Sequence, residues 1–160
     1  MAFPDDSVLG EEGGLRQKGP ALWVIDPIDG TTNFLYDLPG WAVSIAAVDG
    51  DGALVGVVYV PSHDEMFTAA RGRGAACNGR PLRCGTLADP ATALVATGFS
   101  YDPARRAVHT ARLVHVLPHV RDIRRLGAAS VDLCHAAMGR VDAYVEEWLG
   151  PWDVAAGELI

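Results

Sequence analysis

The 160-residue sequence predicts an α/β fold, a layered α+β sandwich in which mixed, largely antiparallel sheets pack with helices. Three observations predict it. Consecutive short apolar runs in the first half are joined by tight Gly-containing turns, the pattern of antiparallel strands. The second half alternates helix-length segments with short apolar runs. Finally, 49% hydrophobic and 21% charged residues suit a packed core rather than a disordered chain.

Ala21 to Ile25 is a short apolar run read as a buried strand that stops at Asp26-Pro27. Pro27 has no N–H for a ladder and restricts the residue before it, so the chain turns there. Trp41 to Val48 and Ala53 to Val60 read as a hairpin closed by Asp49-Gly50-Asp51-Gly52, whose glycines supply positive φ. Glu65 to Ala70 is the next strand, followed by a Gly-punctuated turn region from Arg71 to Gly79. Ala91 to Thr97 reads as a strand, and Pro103 to Leu117 as a helix with Pro118 just past its end. Val120 to Arg124 is a weak strand. Ala128 to Met138 is a helix stopped by Gly139, with Val131, Cys134 and Met138 at helical spacing. Val141 to Glu146 is a further strand, and Asp153 to Ile160 begins a helix without a stop signal. The chain therefore reads as one domain over 1–160 that ends inside an element.

Thirteen Lys and Arg against 20 Asp and Glu leave a formal net charge of −7. That balance argues against nucleic-acid or polyanion binding, which depends on neutralising phosphates with cationic side chains. A small phosphate ligand stays possible, because metal ions can supply positive charge. Cys77, Cys84 and Cys134 form no C-x-x-C pair and read as thiols of a reducing compartment. No apolar run approaches the ~18 residues of a membrane span. Met1-Ala-Phe-Pro-Asp-Asp lacks the basic start and apolar stretch of a leader, so a cytoplasmic location is the default expectation.

Asp26-Pro-Ile-Asp-Gly-Thr-Thr-Asn33 carries the chemistry. A carboxylate at the end of a strand lies where open α/β sheets place ligands. The Pro-Ile turn brings Asp29 back towards Asp26, Gly30 permits close backbone approach, and Thr31-Thr32-Asn33 opens a helix whose free N–H groups favour an anion. One stretch can thus hold a hard cation beside a phosphate. Taken singly, each residue also has a plainer reading. Glu11 and Glu12 alone form a solvated acidic turn, Asp153 a helix N-cap, Thr31 and Thr32 capping residues, and Glu146 an exposed acid.

Asp26 to Asn33 resembles the Asp-Pro-Ile-Asp-Gly-Thr signature of the inositol monophosphatase family of magnesium-dependent, lithium-sensitive phosphatases. Trp152-Asp-Val-Ala-Ala-Gly157 resembles that family's second signature, and Leu9-Gly10-Glu11 its upstream metal-ligand segment. The resemblance implies an inositol monophosphatase/fructose-bisphosphatase-like fold, shortened here at both ends by early helices and a C-terminal portion. It implies that Glu11, Asp26 and the carbonyl of Ile28 hold a first metal, and that Asp26, Asp29 and Asp153 hold a second. Two or three Mg²⁺ ions, or Mn²⁺, are expected; oxygen-only ligation favours them over zinc. Thr31, Glu11 and Asp29 are the implied catalytic residues, with Thr31 orienting the attacking water. Gly30, Thr31, Gly127, Ala128, Ala129 and Glu146 are the implied substrate contacts. The implied reaction is hydrolysis of inositol monophosphate or a related small sugar or polyol phosphate by metal-activated water attack, in a homodimer. Asp29→Asn is expected to abolish most activity and leave the fold intact.

Histidinol-phosphate, nucleotide 3′-phosphate and fructose-bisphosphate branches share such a metal core and stay open as alternatives, as does a non-catalytic metal-binding or dimerisation module. A haloacid-dehalogenase-type phosphatase fits less well, because its acids follow an Asp-x-Asp spacing. His115 and His119 have metal-pair spacing, but Pro118 breaks the helix that would align them. His135 reads as a packed or half-exposed imidazole, and His63 and His109 carry no partner signal. Arg121, Arg124 and Arg125, near Gly127, read as a solvated basic face before a cluster beside an anionic substrate, and the four tryptophans as core or interface.

Overall fold

The computed structural model describes residues 5–19 and 21–160; residues 1–4, which the leader-peptide reading used, lie outside the described residues. β1 (Ser7–Gly10) and β2 (Gly14–Arg16) form an antiparallel hairpin around the exposed turn that carries Glu11. Neither strand was expected, since runs of four and three residues hold too little periodicity to read. β1 lies parallel to β3 (Leu22–Asp29) with Gly10 opposite Ile25, so the next residue of each strand sets Glu11 level with Asp26.

β3 does not stop at Asp26-Pro27. It continues to Asp29 through a bulge against β4 (Ala42–Asp49), where Asp26 pairs with Ser44 and Asp29 with Ala42. A proline inside a sheet is tolerated at such a bulge, because the missing N–H falls where the ladder is already broken. The bulge turns both carboxylates out of the ladder at one end of the sheet. α1 (Thr31–Leu35) follows directly, entered through Gly30 at φ 84.

β4 and β5 (Gly52–Val60) make the expected hairpin, although of its two glycines only Gly52 takes positive φ. β6 spans Glu65–Ala70 as anticipated. The Arg71–Gly79 region is more than turn, for it contains β7 (Gly74–Cys77), followed by β8 (Arg80–Pro81). Small residues without β-branching concealed β7. The large sheet runs β2-β1-β3-β4-β5-β6-β7-β8, antiparallel apart from the β1–β3 pair.

The second half supplies β9 (Leu94–Thr97), α2 (Pro103–Val116), β10 (Asp122–Arg124), α3 (Ala129–Ala137), β11 (Ala143–Val145) and α4 (Pro151–Leu159). A parallel three-stranded sheet forms in the order β10-β9-β11. α2 and α3 lie in the two stretches that join these strands, as parallel pairing requires long crossovers. One face of the large sheet packs on α3 and α4. The core joins Ala42 and Ala46 of β4, Val58 and Val60 of β5 and Phe67 of β6 to Val131, Cys134 and Ala156. Gly56 on β5 faces Ala156, where an added Cβ would lie 3.0 Å from that residue's Cα and carbonyl oxygen. The glycine lets helix and sheet close together. Among the described residues no helix is long and apolar enough to cross a membrane.

Candidate active site

Three element ends meet at the end of β3: the bulge itself, the start of α3 and the start of α4. They bring one carboxylate oxygen each of Asp26, Asp29 and Asp153 to within 4.8 Å of one another. Asp26 and Asp29 are buried. A cleft of about 240 Å³ opens over them, lined also by Glu11, Ile28, Gly30, Thr31, Gly127, Ala129 and Glu146. Ala128 does not line it; its methyl group turns into the core beneath the sheet. Glu11 lies at the rim, outside the close triad but near enough to act on the charge of Asp26.

Asp29 is tied to α3. Its Oδ2 accepts the Ser130 N–H at 2.7 Å and the Ser130 hydroxyl at 2.6 Å, and its Oδ1 accepts the Ala129 N–H at 3.3 Å. The helix's own N-cap, Ala128, has no side chain for that task, so Asp29 caps it from across the fold. Asp153 is the third residue of α4 rather than its N-cap; its carboxylate reaches back to the Gly150 N–H at 2.6 Å. Asp26 Oδ1 accepts the Ile28 N–H at 2.9 Å, and the Thr31 hydroxyl donates to the Ile28 carbonyl at 3.1 Å. Ile28 therefore links the acid to the hydroxyl.

Burial first, and then the neighbouring Asp29 charge, push the Asp26 carboxyl up to about 7. Burial also pushes Asp153 up to about 6, against the Gly150 bond. Asp29 is raised by burial despite the bonds from α3, and Glu11 by burial and Glu12. Each close carboxylate pair repels by roughly 4 kcal/mol at an effective dielectric of 20. A cluster of this kind, all oxygen donors, fits a hard divalent cation and not zinc, which prefers nitrogen and sulfur.

The Glu146 side of the cleft is built with partners that lie outside the signatures. Glu146 accepts the Tyr144 hydroxyl at 2.5 Å, and its carboxylate rests on the Cα of Gly98, where any side chain would collide with it. Burial raises the Glu146 carboxyl. His109, read as partnerless, is 3% exposed, with Nε2 3.0 Å from the Thr97 hydroxyl and Nδ1 3.2 Å from Glu147. Arg112 also pairs with Glu147, so the loop after Glu146 is anchored to α2. Trp148 and Trp152 line the cleft instead of filling the core. Asn33 is buried, and its amide donates to the carbonyls of Pro39, Gly40 and Leu126, fixing the segment before Gly127. Asn33 and Glu146 are marked by the resemblance, whereas His109, Tyr144 and Gly98 carry no signal of these contacts in the sequence. His135 is half-buried as expected, and burial lowers it to about 4, while His115 and His119 are exposed.

Residues 1–160 match the inositol monophosphatase family. The chain belongs to the inositol monophosphatase family. It is 44% identical to an inositol-1-monophosphatase of Mycobacterium leprae, over 98% of this chain and 57% of that protein. It is also 44% identical to a protein of Xylella fastidiosa named Nus factor SuhB, over 99% of this chain and 58% of that one. The solved inositol monophosphatase of Anabaena superposes with a TM-score of 0.93 at 41% identity, over 99% of this chain and 64% of the other. The chain thus spans less than two thirds of the length of these relatives. The largely antiparallel sheet packed with helices is the fold of this family.

Proposed function

We propose that this member of the inositol monophosphatase family is a Mg²⁺-dependent phosphomonoesterase that hydrolyses inositol monophosphate or a related small sugar or polyol phosphate by water attack. The observation that carries the reading is the convergence of Asp26, Asp29 and Asp153 within 4.8 Å in a cleft that also holds Thr31. Glu11, Asp26, Asp29, Asp153 and the Ile28 carbonyl would hold the ions, Mg²⁺ first and Mn²⁺ as the alternative. When bound, such ions acidify water and offset negative charge on phosphoryl oxygens.

The chain's own residues do the rest. Thr31 donates its hydroxyl hydrogen to Ile28, which leaves the oxygen lone pairs as an acceptor for a water on the cleft side. Gly30 and Thr31 open α1, where the first N–H groups have no intrahelical partner and suit phosphate oxygens. Gly127 and Ala129 line the cleft beside Gly30, and Glu146, steadied by Tyr144, accepts hydroxyl hydrogens of the polyol. Asp29 is held by α3 so that its remaining lone pairs face Asp26. Lithium sensitivity, a homodimer and a cytoplasmic location belong to the same reading.

Phosphate release from inositol-1-phosphate by the full-length protein, with Mg²⁺, with EDTA and with Li⁺, tests it. Turnover that needs Mg²⁺ and falls with Li⁺ is expected. Metal-independent turnover, or none at all, overturns the reading. Histidinol phosphate, a nucleotide 3′-phosphate and fructose 1,6-bisphosphate as competing substrates rank the branches, and a fluorophosphate adduct on Asp26 would reject direct water attack.

A further inference from the structure

Among the described residues that line the cleft, one is a cation and six are carboxylates. Arg125, just past the end of β10 and before Gly127, lines the same cleft as Asp26, Asp29 and Asp153, near enough for its charge to act on Glu146. The basic cluster of the sequence is therefore divided: Arg124 is paired with Asp122, while Arg125 turns into the cleft. Arg112 on α2 is engaged by Glu147. Among the described residues no carboxylate lies in ion-pair range of Arg125. Its Nη1 lies over Gly127, where a Cβ would come within 2.7 Å of it. Gly127 also holds φ 110, so a glycine here serves both the turn and the approach of the guanidinium. The charge of Arg125 is felt by Glu146 and by the buried Asp132, whose Oδ1 has no hydrogen-bond partner. The guanidinium therefore stands over Gly127 on the Glu146 side of the cleft.

We propose that Arg125 binds a second anionic group on the substrate, a phosphate or a carboxylate carried by the polyol or sugar some distance from the scissile phosphate. This rests on the phosphomonoesterase reading and narrows its substrate class. A neutral polyol ring would meet Glu146 through its hydroxyls and leave the Arg125 fork unused. A second anion meets five N–H donors arranged for two-point contact with a carboxylate or phosphate. The guanidinium also offsets the negative wall that Glu146 and Glu147 present to any anionic ligand.

The test compares kcat/KM of the full-length protein and its R125Q and R125K variants on three Mg²⁺-supported substrates: a polyol bisphosphate, a phosphorylated sugar acid and a neutral polyol monophosphate. The expected result is that R125Q lowers kcat/KM for one of the two doubly anionic substrates about tenfold more than for the neutral one, through KM, with R125K between. Which doubly anionic substrate shows the effect tells phosphate from carboxylate. Equal losses on all three substrates, or no loss on any, overturn the proposal. Calorimetric Kd values for a bisphosphonate and the matching monophosphonate give the same ratio without turnover. A protein that releases no phosphate yet keeps that ratio, and loses it in R125Q, counts against the reaction and not against the Arg125 site.

Discussion

Asp29 and Ser130, 101 positions apart, share two hydrogen bonds, since one carboxylate oxygen accepts both the N–H and the hydroxyl of the serine at 2.7 and 2.6 Å. The pair joins the bulged end of β3 to the first turn of α3 and holds a proposed metal ligand in place. Ser130→Ala keeps the N–H bond and loses the hydroxyl, leaving a buried charged oxygen short of a donor. It is expected to lower unfolding free energy by about 1–3 kcal/mol and to weaken Mg²⁺ binding. Urea denaturation with and without Mg²⁺ measures both, and wild-type values for both would show that the hydroxyl is dispensable.

The same contact changes what Asp29→Asn should do. An asparagine offers one acceptor oxygen and turns an N–H₂ group toward either Ser130 or Ala129, both of which donate. Activity should be lost, as the sequence already suggested, but the fold should not stay fully intact. A loss of about 1–3 kcal/mol is expected in metal-free protein. Unchanged thermal unfolding of the variant would argue that α3 does not rely on Asp29 for its cap.

Stability of the metal-free protein should fall as pH rises. Asp26 at about 7 and Asp153 at about 6 stand above the roughly 3.9 of an aspartate in an unfolded chain. Between those limits the folded state holds more protons than the unfolded one, so the contribution of these two acids drops from about pH 4 to about pH 7, and Asp132, pushed by burial up to about 8, carries the fall slightly further. Asp26→Asn removes the larger of these two contributions, and the variant should be more stable than wild type at pH 8 without metal. Mg²⁺ should reverse that order. Chemical denaturation across this range decides it, and a metal-free wild type that becomes steadily more stable from pH 5 to pH 8 would contradict the account.

Gly98→Ala should separate substrate binding from folding. Its Cβ meets only the tip of the Glu146 side chain, which can swing away. The acid would then leave its hydrogen bond to Tyr144. KM is expected to rise several-fold, with an unfolding midpoint near wild type. A variant with wild-type KM would mean that the position of Glu146 does not govern binding.

Gly56→Ala probes the layer contact beneath the site. Here the colliding atoms are the backbone of Ala156, which has no free end to move. About 1–3 kcal/mol of destabilisation is expected from this overpacking. A neutral result in denaturant would show that α4 can shift outward without loss.

Much of the site was legible because its chemistry is local. Asp26 to Asn33 carries two acids, a proline, a glycine and threonines in one run, and each acts through its own backbone geometry or its neighbour's. Trp152 to Gly157 is likewise contiguous, and the helices of the second half announce themselves by period, proline and glycine. The strands β4 to β6 could be read from alternation and from the Asp-Gly turn. Ser130 could not be read as a partner of Asp29, nor Gly98 as room for Glu146. Neither residue type differs from any other serine or glycine until the chain has brought its counterpart within reach.

The linear order of residues thus carried everything that a few consecutive dihedral angles, a helical or strand period, or a charge count can encode, including the acids available for a metal. It did not carry how β3 passes its own proline, which face of the basic cluster enters the cleft, or which buried imidazole anchors the loop beside Glu146. Those outcomes depend on packing and hydrogen bonds between segments tens to a hundred residues apart. Such contacts depend on the whole fold, because each buried polar group must find its partner within one densely packed interior.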